Sequence, residues 1–496
     1  MSNIDYEKTK NKLNSVGCGF CLAKWTQVTM HLQTGFNHSC HHPTAHKIPL
    51  EEIKLNPKAL HNTRYKKAKR NEMLKGKRPQ ECDYCWNIED NSTSYSDRIY
   101  KSHEPWSEPY FDEIKNSRWN EDFNPRYVEV SFSNICNFKC SYCGPSYSSQ
   151  WLQEVKQQGG YPTTPEFNSY KDMELSNTLP ILHSEYNPYV EAFWEWWPEL
   201  YRDLHTFRIT GGEPLLSKDT WKILDYIIDQ KNPNRELKFA INSNLGVDDS
   251  LVDKLIEKLS IMIDENRVKE VIIFTSVDSW GKQAEYIRSG LNFNKFWSNI
   301  HKLLGALPKL TITIMSTYNI MSPFSYNELI KNVYDVKREY SNRERFWLHP
   351  LILDTSYLRY PKHQSVKLLD DQQKNLILDN AKTALYYGVT VFDNQHMGMT
   401  ETEVRKIKRI HDWVVSSKNE DVSLDRENFV KFVNEHDKRR GTNFEETFPE
   451  LFKSMSQVWQ SKKQNHGYYG LTPHLSESIL EKYQKFLRGF LILLWQ

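Results

Sequence analysis

The stretch that decides the fold is Tyr127-Val-Glu-Val-Ser-Phe-Ser-Asn-Ile-Cys136-Asn-Phe-Lys-Cys140-Ser-Tyr142-Cys143. Its first half alternates Val128, Val130 and Phe132 with polar residues, which predicts a β-strand with one buried face. Its second half spaces three cysteines as C-x3-C-x2-C. Three thiolates on one short loop suit an iron–sulfur cluster and leave one metal position without a cysteine. A loop that leaves the C-terminal end of a strand is where α/β barrels keep their active sites.

The pattern of strand and helix continues from Arg126 to about Leu353. Amphipathic helices with apolar residues at i, i+3 and i+4 separate the strand-like runs. Six such units predict a parallel sheet, either doubly wound or curled into an incomplete barrel. The predicted strands are Tyr127–Ser133, Thr206–Thr210, Leu237–Ser243, Val271–Asp278, Leu310–Thr317 and Phe346–Leu353.

The composition describes a globular chain of 496 residues with a formal net charge of +2. That balance argues against a nucleic-acid or membrane field over the whole protein, although a local patch is not excluded. Met1 to Leu13 is polar and charged, unlike a signal peptide. No apolar run approaches the ~20 residues that cross a bilayer. We therefore expect a cytoplasmic protein that does not interact with membranes.

All eight cysteines lie in the first third of the chain, which in a reducing compartment favours metal ligation over disulfides. Besides the Cys136 loop, they form Cys18-x2-Cys21, a lone Cys40 beside His41 and His42, and Cys82-x2-Cys85. The Cys82–Cys85 pair with two more distant cysteines makes a common four-ligand metal layout, which iron–sulfur or zinc would satisfy.

The C-x3-C-x2-C motif, with aromatic Tyr142 before its last cysteine, resembles the signature of radical S-adenosylmethionine (SAM) enzymes. Gly211-Gly212-Glu213-Pro214, at the end of the second predicted strand, resembles that family's Gly-Gly-Glu-Pro motif. The resemblance covers 126–353 and implies a partial (β/α)6 TIM-like barrel. It also implies that Cys136, Cys140 and Cys143 hold a [4Fe-4S] cluster whose fourth iron binds SAM. Reductive cleavage of SAM then yields a 5′-deoxyadenosyl radical that abstracts a substrate hydrogen.

The resemblance also implies SAM-binding residues. Glu213 suits the SAM ammonium, with Gly211 and Gly212 letting the backbone come close; the alternative is that Glu213 caps the next helix. Tyr142 is expected beside the adenine. Further expected contacts are Ser243 and Asn244 after the third strand, Ser276 and Asp278 at the end of the fourth, and Arg288, which would clamp the SAM carboxylate. For Ser243 and Asn244 a plain turn, and for Arg288 a solvated helix end, are the alternatives.

The N-terminal cysteines resemble the auxiliary-cluster "twitch" module of radical SAM enzymes. The resemblance implies a second [4Fe-4S] cluster on Cys21, Cys40, Cys82 and Cys85, with Cys18 either a spare thiol or an alternative to Cys21. Twitch and SPASM modules usually follow the barrel, whereas this region precedes it. The predicted domains are the cysteine-rich module 1–115, the barrel 116–355 and a C-terminal helical domain 356–496.

Four cysteines would fill the auxiliary cluster, which favours electron transfer. The expected function is an oxidoreductase that oxidises or cross-links a peptide side chain. The alternative is dehydrogenation or rearrangement of a carbohydrate or nucleotide. A third hypothesis is a zinc- and nucleic-acid-binding N-terminal module, suggested by the basic run Arg64–Arg78.

Expected partners are a peptide or small-molecule substrate and a low-potential electron donor such as flavodoxin or ferredoxin. No catalytic acid or base is named; Asp354, placed just past the sixth strand, is either at the barrel rim or a loop cap.

Overall fold

The computed structural model describes residues 3–341, 349–390, 398–417 and 420–455. The strands are β1 (Gln27–His31), β2 (Phe36–His38), β3 (His46–Lys47), β4 (Tyr127–Ser131), β5 (Lys139–Cys140), β6 (Thr206–Thr210), β7 (Lys238–Asn242), β8 (Glu270–Thr275), β9 (Arg288–Ser289), β10 (Thr311–Tyr318) and β11 (Leu351–Tyr357).

The helices of the N-terminal and barrel regions surround this sheet. They are α1 (Asn3–Asn14), α2 (Ala23–Thr26), α3 (Leu50–Leu55), α4 (Arg64–Leu74), α5 (Asp83–Asn91), α6 (Asp97–His103), α7 (Phe111–Asn116), α8 (Ser149–Gln158), α9 (Tyr170–Leu175), α10 (Pro188–Asp203), α11 (Lys218–Asp229), α12 (Asp249–Asp264), α13 (Gly281–Ile287), α14 (Phe293–Ala306) and α15 (Tyr326–Glu339). After β11 come α16 (Asp371–Leu385), α17 (Glu401–Ser416), α18 (Ser423–Arg440) and α19 (Phe444–Thr447).

Six parallel strands form the centre of the large sheet, in the spatial order β4-β6-β7-β8-β10-β11. Each neighbouring pair is also consecutive in the order of these strands along the chain, and helices connect them, as in a right-handed α/β barrel. The predicted α/β fold, a partial six-unit barrel, is confirmed. Among the described residues, no helix is both long and apolar enough to cross a bilayer.

Alternation along β4 explains how the sheet separates its two faces. Val128 and Val130 are fully buried in the main hydrophobic core, which they share with Phe193 of α10 and Leu224 of α11. Successive strand residues point to opposite faces, so Glu129 lies on the face away from these helices. The helix-covered face is therefore apolar, and the inner face of the barrel carries polar residues.

A seventh parallel strand, β1, extends the barrel from the N-terminal region. It pairs with β4 in register from Gln27 opposite Tyr127 to His31 opposite Ser131, and β2 and β3 continue the sheet as an antiparallel edge. The sequence analysis missed β1 because the run is only five residues long in a region without regular periodicity. Its alternating Val28 and Met30, both fully buried, were the available signal. The domain boundaries remain a prediction, but hydrogen bonds join the region 1–115 to the barrel sheet.

Two of the differences between predicted and observed strand ends change the position of a candidate residue. β8 ends at Thr275 rather than at Asp278, so Asp278 belongs to the loop that follows the strand. β11 runs from Leu351 to Tyr357, which places Asp354 inside the strand, in a 2.5 Å ion pair with Lys406 of α17. The prediction that Asp354 follows the sixth strand was wrong, because the strand continues beyond its apolar run. Residues 346–348 of the predicted strand lie outside the described residues.

The helices after β11 attach to the barrel through a buried ion pair. Lys337 of α15 donates to both carboxylate oxygens of Glu403 at 2.8 and 2.7 Å, and both side chains are almost fully buried. Glu403 also accepts from the backbone N–H groups of Leu353 and Thr400, the second as part of the capping box of α17. One carboxylate therefore joins α15, β11 and α17. The predicted helical domain is helical where it is described; residues 456–496 lie outside that part.

Replacing Lys337 with Met should destabilise the protein by about 3–5 kcal/mol, because it leaves the buried Glu403 carboxylate without its cation. Burial raises the pKa of Glu403 but Lys337 outweighs it, so the pKa lies below its ordinary value. The pair thus stabilises the fold above that ordinary value, and the stabilisation is lost as the pH falls through the lowered pKa. Urea unfolding at several pH values measures both effects.

The matched control is Lys382→Met, which removes an exposed partner of Asp379 and should change the unfolding free energy by less than about 1 kcal/mol. Equal shifts for the two variants would show that the Lys337–Glu403 pair does not hold the helices on the barrel.

Candidate active site

The cysteine loop leaves the C-terminal end of β4, and hydrogen bonds join it to helix α8 and to the N-cap of that helix. The Cys136 N–H donates to Ser149 Oγ at 3.2 Å, and the indole Nε1 of Trp151 donates to the Cys140 carbonyl at 2.9 Å. Ser148, the N-cap of α8, donates its hydroxyl to the Phe138 carbonyl at 2.6 Å. The loop is therefore a fixed part of the fold.

The Gly-Gly turn after β6 packs directly on the start of this loop. A Cβ atom on Gly212 would lie 2.2 Å from the carbonyl oxygen of Ile135, and one on Gly211 would lie 2.4 Å from Ser131 Oγ. Gly211 also has a φ of +117°, which disfavours any side chain. These glycines permit a close approach of the turn to the cysteine loop; their predicted contact with SAM remains a prediction.

A second glycine-containing segment closes the other side of the loop. β9 pairs antiparallel with β5, so that Arg288 lies opposite Cys140. The next residue but one, Gly290, has a φ of +105°, and a Cβ there would lie 2.8 Å from the Asn137 carbonyl oxygen. The loop is thus clamped between segments that follow β6 and β8.

The three loop cysteines carry half-buried thiols whose environment suits metal ligation. Burial, with a smaller contribution from Cys140, raises the pKa of Cys143 to about 12, and the pKa values of Cys136 and Cys140 are raised as well. The Phe138 N–H approaches Cys136 Sγ at 3.4 Å, and this contact favours the thiolate. Thiols that are protonated without metal but have N–H donors nearby fit a cluster whose binding releases protons.

Glu213 follows β6 at the carboxyl ends of the parallel strands and is almost fully buried. Oε1 accepts from Ser243 Oγ at 2.8 Å and from the Leu215 N–H at 3.0 Å; Oε2 accepts from the Asn244 N–H at 2.6 Å. Burial raises the pKa of Glu213 to about 7, although these hydrogen bonds oppose the shift. Glu213 caps the short 3₁₀ helix Pro214–Leu216, and its predicted role toward the SAM ammonium remains a prediction.

The predicted residues after β7 and β8 lie around the same strand ends. Asn244 donates from Nδ2 to Asn137 Oδ1 at 2.8 Å and approaches Cys136 Sγ at 4.0 Å, so the turn after β7 touches the cysteine loop. Ser276 follows β8 directly and is half-buried. The structure brings these positions to one end of the barrel, as parallel strands require.

Asp278, Arg288 and Tyr142 form one buried network. Arg288 donates from Nε to Asp278 Oδ2 at 2.9 Å and from a terminal nitrogen to Oδ1 at 3.1 Å. The Tyr142 hydroxyl donates to Asp278 Oδ2 at 2.8 Å, and the Thr317 N–H to Oδ1 at 2.7 Å. Arg288 is therefore not a solvated helix end. Its predicted contact with the SAM carboxylate and that of Tyr142 with adenine are not tested by these contacts.

The four N-terminal cysteines assigned to a second cluster line one small cavity. Burial raises the pKa of Cys40 and of Cys82 to about 11, and the pKa values of Cys21 and Cys85 are also raised. Several basic side chains and the carboxylate of Asp97 line the same cavity. The residues that line it include Cys21, Cys40, Cys82, Cys85, Lys24, Arg98, Lys101 and His42. The chain thus gathers cysteines that are up to 64 positions apart (21 to 85).

Cys18 lies outside this cavity, exposed and with its thiol 3.7 Å from the Gly76 carbonyl oxygen. His42 binds Asp97 at 2.8 Å and stacks on Tyr84. Within the described ranges, no three Cys, His, Asp or Glu side chains meet at the spacing of a single metal ion. In a four-iron cluster each thiolate binds a different iron, so the four thiols need not meet at one metal ion. That all four line one cavity is compatible with such a cluster.

The basic run Arg64–Arg78 is less of a surface patch than its sequence suggests. Lys66 and Arg70 of α4 are fully buried; Lys66 contacts His61 Nδ1 at 2.8 Å, and Arg70 donates to Asn62 Oδ1 at 2.7 Å. Lys67 forms an ion pair with Asp122. Two of its basic side chains therefore lie in the interior of the N-terminal region, which the sequence pattern did not indicate.

The inner face of the barrel contains polar residues that the sequence analysis did not select. Arg208 of β6 lies 3.6 Å from Glu129 of β4 and donates to Asn242 Oδ1 at 2.7 Å. His31 of β1 contacts His38 Nε2 at 3.2 Å and packs edge-on against Tyr147. A charged residue at an inward strand position was the available signal for Arg208 and Glu129.

Residues 130–323 match the family model of the Radical SAM superfamily. This part of the chain is a radical SAM domain, and the family implies a [4Fe-4S] cluster and SAM. The chain is also similar to GTP 3′,8-cyclases of Psychromonas ingrahamii, at 32% identity over 108 residues, and of Sulfurimonas denitrificans, at 26% over 140 residues. A GTP 3′,8-cyclase of Sulfurovum sp. is 27% identical over 140 residues.

These similarities are partial. The matched stretches cover 22% of this chain and 23% of the first relative, and 28% of this chain and 34% of the second and third. They bear out the superfamily, whereas the twitch subtype stays a prediction.

Replacing Gly212 with Ala should displace the cysteine loop, because the new Cβ would overlap a backbone carbonyl that cannot rotate away. We expect a loss of about 1–3 kcal/mol in unfolding free energy and reduced iron retention. Gly305→Ala, at an exposed position of α14 with open space around its Cβ, is the control and should be neutral or slightly stabilising. Unchanged stability and iron content in Gly212→Ala would contradict the close-packing argument.

Proposed function

We propose that this protein reductively cleaves SAM and takes a hydrogen atom from its substrate. The observation that carries the proposal is the clamped loop with Cys136, Cys140 and Cys143, inside a domain that matches the Radical SAM superfamily. A [4Fe-4S] cluster on these thiolates would supply the electron and the open iron position. The protein's part is to hold the thiolates and orient SAM at the carboxyl ends of the strands.

Glu213 is the residue best placed to recognise the SAM ammonium. Three donors hold its carboxylate in one orientation, yet burial still raises its pKa to about 7. A cation placed beside a buried carboxylate favours the charged form. SAM binding would therefore stabilise ionised Glu213, and the interaction would weaken as the pH falls below about 7.

We further infer an auxiliary [4Fe-4S] cluster on Cys21, Cys40, Cys82 and Cys85, because all four line one cavity. Four cysteine ligands leave no iron for substrate, so electron transfer is the favoured role. Lys24 and Arg98 are buried in the cavity wall, where they form ion pairs with Glu81 and Glu89, so their charges are largely balanced. An electron acceptor beside the barrel suits a net two-electron oxidation of the substrate.

A peptide side chain is the substrate class we propose. A groove of about 570 Å³ opens beside Ser133 and Ile135, next to the cysteine loop. Its wall combines apolar Val190 and Trp194 with charged residues of α10 and α11, as the surface that binds an extended chain would. The donor of electrons would be a low-potential protein such as flavodoxin or ferredoxin, in the cytoplasm.

A nucleotide is the second candidate substrate. Three relatives are named GTP 3′,8-cyclase, and Arg208 places a guanidinium on the inner face of the barrel, where it would suit a phosphate. The zinc and nucleic-acid hypothesis for residues 1–115 has less support, because Lys66 and Arg70 are buried.

Wild-type protein, reconstituted anaerobically, should contain about eight irons and eight sulfides per chain. With dithionite and SAM it should form 5′-deoxyadenosine. Cys136→Ala/Cys140→Ala/Cys143→Ala should keep about four irons and form none. Full iron content, or 5′-deoxyadenosine, in that triple variant would refute the assignment of the active site.

The same assay tests the auxiliary site. Cys82→Ala/Cys85→Ala should lose about four irons, whereas the control Cys18→Ala should lose none. Zinc retained by wild type in place of the second set of irons would overturn the auxiliary cluster.

Incubation with SAM, dithionite and a random-sequence peptide library should yield peptides that have lost two hydrogen atoms, detected by mass spectrometry. Val190→Arg would fill the groove and should reduce this product at least tenfold, an effect of about 1.4 kcal/mol. Glu195→Arg, exposed on the same helix, is the control. If GTP is consumed instead of peptide, and Val190→Arg has no effect, the nucleotide candidate replaces the peptide.

A further inference from the structure

The Arg288 guanidinium lies 3.5 Å from Cys140 Sγ, and the position of this arginine is set by the backbone. β9 and β5 pair so that Arg288 and Cys140 are direct partners, and the Ser141 N–H donates to the Ile287 carbonyl at 2.7 Å. This short sheet fixes the distance between the arginine and the cysteine independently of their side chains.

The Arg288 guanidinium divides its donors among the Asp278 carboxylate, the Tyr142 hydroxyl and the Cys140 sulfur. Nε and one terminal nitrogen bind both oxygens of Asp278, and the other terminal nitrogen donates to Cys140 Sγ at 3.5 Å. The planar fork explains why all three can be served at once, since its donors point in fixed directions. Asp278 and Arg288 are both buried, so solvent screens their charges little.

Asp278 is in turn held rigidly. Its two oxygens accept from the Thr317 N–H at the end of β10 and from the Tyr142 hydroxyl of the cysteine loop. Arg288 therefore cannot turn toward a ligand without breaking the bidentate pair with Asp278. The network orients the guanidinium toward the sulfur of Cys140.

We propose that Arg288 is a positioning residue that fixes Cys140 through an N–H···S hydrogen bond and raises the reduction potential of the cluster this cysteine holds. The proposal rests on the proposed function, which places a [4Fe-4S] cluster on Cys136, Cys140 and Cys143. Hydrogen bonds to cluster sulfurs and nearby positive charge both favour the reduced form, which carries one more electron. The role differs from a clamp on the SAM carboxylate, because it operates before SAM binds.

The test is a potentiometric titration, followed by EPR, of reconstituted Cys82→Ala/Cys85→Ala protein without SAM, so that only one cluster contributes. Arg288→Lys keeps a cation beside Asp278 but loses the fork. We expect its midpoint potential to fall by about 59 mV or more, a tenfold or larger shift in the one-electron equilibrium. Arg439→Lys, a buried arginine paired with Glu435, is the control and should leave the potential unchanged.

A second variant guards against misfolding. Arg288→Met/Asp278→Asn removes both buried charges together and should lower the potential as well. A separate measurement of SAM affinity, by equilibrium binding to the oxidised protein, distinguishes the two roles. Weakened SAM binding with an unchanged potential in both variants would overturn the proposal in favour of the carboxylate clamp.

The failure of the proposed function has a different signature. If the proposed function is wrong, wild type and Arg439→Lys will both hold no iron on the three loop cysteines. That result would also overturn the proposal for Arg288. Iron bound by these two proteins but absent from Arg288→Lys would support the positioning of Cys140.

Discussion

Close backbone packing around the cysteine loop is the constraint on which the site depends. Gly212 and Gly290 each bring a segment so near that a methyl group would overlap a loop carbonyl, at 2.2 and 2.8 Å. These segments follow β6 and β8, so the register of the parallel sheet determines where the loop lies. That packing fixes the positions of the Cys136, Cys140 and Cys143 thiols.

Two buried ion pairs stabilise the barrel region. Asp278 balances Arg288, and Lys337 balances Glu403; each carboxylate also accepts from backbone N–H groups. A buried pair is stable only when its remaining hydrogen-bonding positions are satisfied, which these contacts achieve. Glu213 differs, since the groups that bind it are neutral donors and burial raises its pKa to about 7. Neutral donors thus hold Glu213, whereas Asp278 and Glu403 are each balanced by a cation.

Strand β1 changes the relation between the N-terminal region and the barrel. Because it pairs with β4 along its whole length, the region 1–115 forms part of the sheet that carries the cysteine loop. The cavity of Cys21, Cys40, Cys82 and Cys85 then lies on a region that the barrel sheet anchors. His31, on β1, lines the space beside Tyr147.

The sequence by itself predicted the radical SAM superfamily and the barrel strands, because strand periodicity and the C-x3-C-x2-C spacing are local properties of the chain; the ligand roles of both cysteine sets stay predictions. It could not show that Gly211 and Gly212 pack on the cysteine loop, that Lys66 and Arg70 are buried, or that Asp354 lies within β11. It also missed β1, whose five residues carry a weak pattern. Only the tertiary structure decided the partner of Arg288, since Cys140 and Arg288 are 148 positions apart and meet only when β9 pairs with β5. Long-range pairing of this kind depends on the packing of the whole sheet, which no local pattern records.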